Sequence, residues 1–452
     1  MAEVTSINPY NNKRLETFEL LSNSEIERVL QSSQKSYLSW KKTTLSERKT
    51  YLSAVANDLR ENKKAYANTI TSEMGKPMAQ AIAEVEKCAW VCDYYAQSAA
   101  EHLAPETVAT DASKSYITYE PLGVLLAVMP WNYPFWQVFR FAAPALMAGN
   151  VVLLKHASNV FGSALLIEKV FERAGLPSGV FKTLLIETKQ VKSIIENPIV
   201  KAVTLTGSEA AGSAVASTAG AQIKKTVLEL GGSNALIVFE DADVDKTIDI
   251  CVQARFQNTG QSCIAGKRLL IAASIAEEFL EKLVAKVKKL KSGDPADSDV
   301  YIGVMAREDL AEELEKQLKD SLKQGAKLLL GGKRKGTYFE PTVVIDVTQD
   351  MVIFKEETFG PLLAVSTFTT EEEALQLSNN SPFGLGVSLF SNDIERMESY
   401  VPRLEEGAVF INSLVKSDPR LPFGGIKSSG YGRELSKEGI REFVNVKTVF
   451  IA

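Results

Sequence analysis

Histidine and cysteine are scarce in this chain: two histidines and four cysteines among 452 residues. Cys88, Cys92, Cys251 and Cys263 are too few to staple a protein of this size with disulfides. His102 and His156 lack the partners that a His/Cys zinc site needs. Cys88 and Cys92, four apart beside Trp90, Tyr94 and Tyr95, read as core packing. Long apolar runs are missing too. The most apolar stretch, 123–129, stops at Pro130, well short of a membrane span. The opening Met-Ala-Glu-Val has no basic segment leading into an apolar one, so no secretory signal is expected. Cations do not outnumber anions, with 51 Lys and Arg against 56 Asp and Glu and a net charge of -5. A nucleic-acid partner would call for a basic stripe, and the one local candidate, KVKKLK at 286–291, reads as a solvated helix face. These absences together set the expectation of a cytoplasmic protein with no membrane and no nucleic-acid partner.

What is present fits an ordinary globular protein, 45% hydrophobic and 24% charged. Its length exceeds one core and predicts two or three domains. The first hundred residues read mostly as helix. Ser22 with Glu25 and Thr44 with Glu47 form capping boxes, the second heading a helix through Leu59, and a further helix is expected over 78–100. From about residue 115 the texture changes. Apolar runs of strand length at 123–128, 151–154 and 202–205 alternate with helical patterns such as 160–174, which predicts βαβ units on a parallel sheet. A second α/β region follows from about 235 to 425, with strand candidates at 236–239, 268–271, 362–368, 387–390 and 409–412. The segments 115–120 and 444–451 alternate apolar and polar residues. A terminal strand of this kind needs a partner, and pairing with another subunit is the expectation.

Six motifs carry chemistry. In QNTGQSCIAG (257–266), Cys263 sits among small polar residues and glycines. That setting suits an accessible nucleophilic thiol, or equally a small structural cysteine. In LELGG (228–232), Glu229 ends a strand-like run, placed either as a general base or as a capping or surface residue. In PWNYP (130–134), Asn132 follows a buried strand. It either aims its amide at a developing oxyanion or caps the next helix, with Pro134 in the first turn. In TGSEAAG (206–212), Gly207 and Ser208 lie between a strand and a helix, the context for a phosphate at a helix N-terminus. The string is neither G-x-G-x-x-G nor a P-loop, which removes the main support for an ATPase. In KHAS (155–158), Lys155 ends a strand and faces the crevice where nucleotides bind. EETFGP (356–361) alone would pass for a surface turn.

Taken together, PWNYP, KHAS, TGSEAAG, ELGGSN, QNTGQSC, EETFGP, SPFGLG and PFGGIKSSGYGRE resemble the aldehyde dehydrogenase superfamily over essentially the whole chain. The resemblance implies an α/β protein with a Rossmann-like coenzyme domain (1–111 and 122–231), a second α/β catalytic domain (232–430) and a small β oligomerisation arm (112–121 and 440–452). It implies a homodimer or homotetramer and the oxidation of an aldehyde to its acid. Cys263 would be the nucleophile, and Glu229 the base for the deacylating water. Asn132, with the Cys263 backbone N–H, would form the oxyanion hole. Pro130, Trp131, Lys155, Ser158, Gly207, Ser208, Glu357 and Phe359 would hold the cofactor, Lys155 and Glu357 as its ribose-binding pair. An acyl-CoA product would not need Glu229, and a non-catalytic relative would be expected to have lost one of these groups. The family often carries an acidic residue where this chain has Ser158. Serine removes the repulsion of a 2'-phosphate, so NADP is expected to be accepted or preferred, with NAD also usable.

The strings WNYPFWQVFR and KSDPRLPFGG resemble the short succinate-semialdehyde dehydrogenase branch, which implies succinate semialdehyde as substrate. Asn132, Trp136 and Arg140 share one helix face, with Arg140 about 12 Å along the axis from Asn132. Arg140 either holds the substrate carboxylate or pairs with an acidic residue between elements. Ser262, Lys416 and Arg420 are further candidate anion contacts. The alternative is a broad aliphatic or aromatic aldehyde dehydrogenase, with Phe135, Trp136 and Phe139 lining an apolar tunnel.

Overall fold

The computed structural model describes residues 2–452. A hairpin opens it, β1 (Glu3–Ile7) against β2 (Arg14–Glu19). It is the exception in the first hundred residues, which are mostly helix as expected. The hairpin is short and mostly exposed, so its sequence carries little of the apolar alternation that marks a strand. Four helices follow: α1 (Asn23–Trp40), α2 (Leu45–Glu61), α3 (Lys63–Met74) and α4 (Met78–His102). Both expected capping boxes form, Ser22 with Glu25 and Thr44 with Glu47. Cys88 and Cys92 are fully buried in the core beneath α4.

After β3 (Glu106–Thr107) and β4 (Lys114–Pro121) the chain enters the first large sheet. Its strands are β5 (Val124–Met129), β6 (Val151–His156), β7 (Phe181–Thr183), β8 (Val200–Thr206) and β9 (Lys225–Glu229). Their spatial order is β9-β8-β5-β6-β7, all parallel. The chain therefore runs outward from β5 to one edge, then returns to β8 on its other side. Sheets wound in this way bind ligands beyond the carboxyl ends of the two strands where the order reverses, here β5 and β8. Helix α5 (Trp136–Met147) connects β5 to β6, and α6 (Phe161–Arg173) connects β6 to β7. Helix α7 (Glu209–Ala221) follows β8.

The second sheet has seven strands. Its middle is β10 (Asn234–Val238) beside β11 (Gly266–Ala272), with α8 (Val244–Phe256) between them in sequence. Strands Leu362–Phe368, Val387–Phe390 and Val409–Ile411 extend it, as the apolar runs predict. Two apolar clusters fill its two faces. A short strand, β12 (Gly430–Tyr431), returns antiparallel to β9 and ties the end of the chain to the first sheet.

The last strand, β13 (Val444–Ile451), pairs antiparallel with β4 over its whole length, from Val444 opposite Pro121 to Ile451 opposite Lys114. The expected partner thus lies in the same chain. Strand β13 remains an edge of a three-stranded sheet, with Val446, Phe450 and Ile451 exposed.

Candidate functional site

Cys263 lies just before β11 and lines two cavities at once. The first, about 250 Å³, is lined by Pro130, Trp131, Asn132, Gly207, Ser208, Glu357 and Phe359, among others. The second, about 360 Å³, is lined by Trp136, Gln137, Arg140, Ser262 and the loop 414–417. The first sits at the carboxyl ends of β5 and β8, where the strand order reverses. The thiol therefore stands in the wall between a crevice of dinucleotide-binding type and a separate pocket.

The loop that presents Cys263 is held tightly. Asn258 and Thr259 both adopt left-handed backbone conformations, at φ 56° and 53°. For a buried, β-branched threonine this costs energy that the surroundings must offset. Asn258 Nδ2 donates to the carbonyls of Asn132 and Gln261, at 2.9 Å each. At Gly260 an added Cβ would stand 2.3 Å from the Gly360 carbonyl, so only glycine fits.

Burial pushes the Cys263 thiol up to about 11, opposed by the cations of Arg140 and Lys267. Lys267, fully buried, donates from Nζ to the carbonyls of Gly232, Ser262 (2.8 Å) and Cys263 (2.9 Å) and to Glu357 Oε1 (2.8 Å). One ammonium thus joins the cysteine loop, the Gly231–Gly232 turn and the EETFGP segment. The sequence reading missed it, and its only signal is a lysine four residues after the cysteine.

Asn132 is buried and does not cap a helix. Its Oδ1 accepts from Gln137 Nε2 at 3.0 Å, and its Nδ2 donates one hydrogen to the Gln261 carbonyl at 3.1 Å. Those bonds fix the amide plane and leave its second N–H without a protein acceptor among the described residues, in a side chain that lines the cavity Cys263 shares. The expectation of Pro134 in the first turn of α5 is corrected, because the helix begins at Trp136. Its first donors are taken from a distance, with Phe135 N–H and Trp136 N–H both donating to Glu84 Oε1 on α4, at 2.9 and 3.0 Å. Glu84 is in turn ion-paired with fully buried Lys76.

Glu229, the last residue of β9, is buried and lines neither cavity. Both its carboxylate oxygens lack hydrogen-bond partners. Burial, and then the neighbouring Glu434 carboxylate, hold it well above the usual carboxylate range. Glu434 is buried too and forms an ion pair with Arg140. Arg140 also donates to Thr206 Oγ1 at 3.3 Å and packs on Phe423. Of the two roles open to Arg140, pairing between elements is the one seen, although its side chain still lines the second cavity.

Arg420 requires a correction. It is exposed, binds Asp418 through both Nε (2.9 Å) and Nη2 (2.7 Å), and lines neither cavity. Its guanidinium is held at the surface by Asp418 and over the Trp90 ring, away from both cavities. Ser262, Lys416 and Trp136 do line the second cavity.

The cofactor side is built from strand ends. Ser208 caps α7, its hydroxyl accepting from Ala211 N–H, so Gly207 and Ser208 present the helix N-terminus to the first cavity. Glu357 Oε1 takes both Lys267 and the Gly232 N–H, which leaves Oε2 for a ligand. Phe359 packs edge-on to Trp131, ring centres 5.7 Å apart. Lys155, near the end of β6, and Ser158, just beyond it, lie outside this cavity. Burial alone lowers the Lys155 ammonium, with no carboxylate acting on it. His156 fixes this corner. Held neutral by burial, which lowers it to about 4, it donates from Nε2 to the Pro134 carbonyl and accepts the Ala157 N–H on Nδ1.

A thiol between two cavities, a buried asparagine amide lining the first of them and a reversed parallel sheet whose strand ends line the crevice are the features of an oxidoreductase architecture. The chain belongs to the aldehyde dehydrogenase family, whose model matches residues 2–449. It is 49% identical to a probable NADP(+) succinate-semialdehyde dehydrogenase of Synechocystis sp., covering 99% of this chain and 100% of that protein. It is 44% identical to an NADP(+) succinate-semialdehyde dehydrogenase of Mycobacterium tuberculosis, with the same coverage. Among solved structures it resembles the succinic semialdehyde dehydrogenase of Streptococcus pyogenes in complex with NADP+. There the TM-score is 0.97 and the identity 38%, over 99% of each chain.

Proposed function

We propose that this chain oxidises succinate semialdehyde to succinate, with NADP as the preferred cofactor and NAD also accepted. The observation that carries the reading is the position of Cys263, facing a nucleotide-type crevice on one side and a pocket with cationic side chains on the other. The relatives named above support the substrate and the cofactor.

The residues present fit a dinucleotide. Lys155 is an ammonium without a carboxylate partner, Gly207 and Ser208 offer a helix N-terminus, and Glu357 keeps one oxygen free. Pro130, Trp131 and Phe359 supply apolar walls. When bound, the cofactor accepts the hydride that leaves the former aldehyde carbon.

The remaining chemistry belongs to the protein. The Cys263 thiol gives up its proton to water as its sulfur adds to the aldehyde carbon, and Asn132 Nδ2 with the Cys263 N–H stabilises the oxyanion. Loss of one such donor typically costs about 100- to 1,000-fold in rate. After oxidation the acyl group remains on sulfur as a thioester. Glu229 takes a proton from the water that hydrolyses it, reaching the thioester by rotation of its side chain or through a water. Burial raises the proton affinity of this carboxylate, the direction that strengthens it as a base.

In this reading residues 1–111 and 122–231 hold the coenzyme and 232–430 carry the nucleophile. Residues 112–121 with 440–452 form an arm through which copies associate. The test is direct. kcat/KM for succinate semialdehyde is expected to exceed that for butyraldehyde, which lacks the charge, and equal values would refute the acidic substrate.

A further inference from the structure

The second cavity contains three basic side chains that face an incoming aldehyde acid, and they are not equivalent. Arg140 is ion-paired with Glu434. Lys416 sits in the loop at 414–417 and is not buried. Lys87, on α4, is half-buried, and no ion pair engages it among the described residues. The acidic group nearest in sequence that shares the cavity, Glu84, is already matched by Lys76 and two backbone N–H groups.

The immediate contacts of Lys87 add to this. Its Nζ donates to Ser417 Oγ at 2.8 Å and lies 4.1 Å over the Trp136 ring. Trp136 Nε1 donates to the same hydroxyl at 3.0 Å. A serine oxygen that accepts two N–H bonds has filled its lone pairs, so its own O–H is left to donate. An ammonium has three donors, and Lys87 uses one on Ser417. The remaining N–H groups of Lys87, beside the Trp136 ring, and the Ser417 O–H have no protein acceptor in this cavity among the described residues. A carboxylate is the acceptor that matches such a set of donors.

We propose that Lys87, with the Ser417 hydroxyl, is a further group in this pocket that binds the distal carboxylate of the aldehyde acid, beside the ion-paired Arg140. This rests on the acidic-substrate reading above and names a group that enforces it. The electrostatics agree. Burial, and then the Arg140 cation, lower the Lys87 ammonium to about 8. Glu84 and Cys88 on its own helix and Asp418 on the facing loop act in the opposite direction. A bound anion raises it again, so anionic substrate binds best below pH 8 and loses affinity as the ammonium deprotonates above it.

The experiment measures kcat/KM for succinate semialdehyde and butyraldehyde in the wild type, Lys87→Met and Lys87→Arg. The ratio of the two values cancels effects on the thiol and on the cofactor. A charged hydrogen bond is worth about 1.5–3 kcal/mol, so Lys87→Met is expected to lower the ratio by about 10- to 100-fold, mainly through KM for the acid. Lys87→Arg is expected to keep most of it. In the wild type the same ratio is expected to fall as pH rises from 7 to 9.5, a readout that needs no variant to fold. A ratio unchanged in Lys87→Met, or flat with pH, overturns the assignment while leaving the substrate intact. A wild type that does not discriminate between the two aldehydes removes both.

Discussion

Ser158 stands exposed at the end of β6, three residues beyond a lysine that has no carboxylate partner. A glutamate there would confront any 2'-phosphate held by Lys155 and would offer an acceptor to a free ribose hydroxyl instead. Ser158→Glu is therefore expected to lower kcat/KM for NADP by at least about tenfold, the size of a 1.4 kcal/mol difference, while sparing or improving NAD. Steady-state kinetics with the two cofactors checks this, and an unchanged ratio would mean that position 158 does not read the phosphate. The residue scale also shows where sequence reading runs out. Cys263 and Asn132 were singled out by residue type and local context, which left each a structural alternative; only the motifs taken together pointed to their roles. The engagement of Arg140 was not legible, since Glu434 lies far along the chain and no local pattern links the two. Lys267 and Lys87 were missed for the same reason, as each acquires its surroundings only when distant segments meet.

Helix α5 illustrates how elements place the site. It has no side-chain cap of its own, and its first two free N–H groups are answered by Glu84 from α4. The Asn132 turn precedes this junction, and buried Lys76 balances the carboxylate. Removing one partner of a buried ion pair strands the other charge, at a cost of about 3–5 kcal/mol. Glu84→Ala is accordingly expected to lower the unfolding temperature clearly and to reduce kcat, because the oxyanion donor loses its support. The double variant Lys76→Met with Glu84→Gln is expected to recover part of the stability. Thermal unfolding monitored by circular dichroism reports both, and a single variant as stable as the parent would contradict the account of this junction. Elements with strong local signals were legible in the sequence. Capping boxes marked α1 and α2, and apolar runs marked β5, β6 and β8. The β1–β2 hairpin was not, because its exposed strands carry no buried face to write a pattern.

At the scale of the whole molecule, the two sheets meet at Cys263, and the chain's end returns to the first sheet through β12 and to β4 through β13. Strand β13 leaves one edge open, and Val446 and Phe450, four apart, expose the same face at 58% and 55%. An unprotected edge with large apolar side chains is a template for another copy. The native protein is expected to sediment as a dimer or tetramer. Val446→Asp combined with Phe450→Asp is expected to shift it to smaller species. A native monomer in analytical ultracentrifugation would remove the oligomerisation role of this arm.

The central claim concerns the bond between the Cys263 sulfur and the acyl carbon. With Glu229→Gln the thioester forms but its hydrolysis loses the base, so the intermediate should accumulate. The protein is mixed with succinate semialdehyde and NADP, quenched in acid, digested and analysed by mass spectrometry. The account predicts one succinyl group on the peptide that contains Cys263. An unmodified Cys263 peptide, or the group on another residue while NADPH has formed, would contradict it.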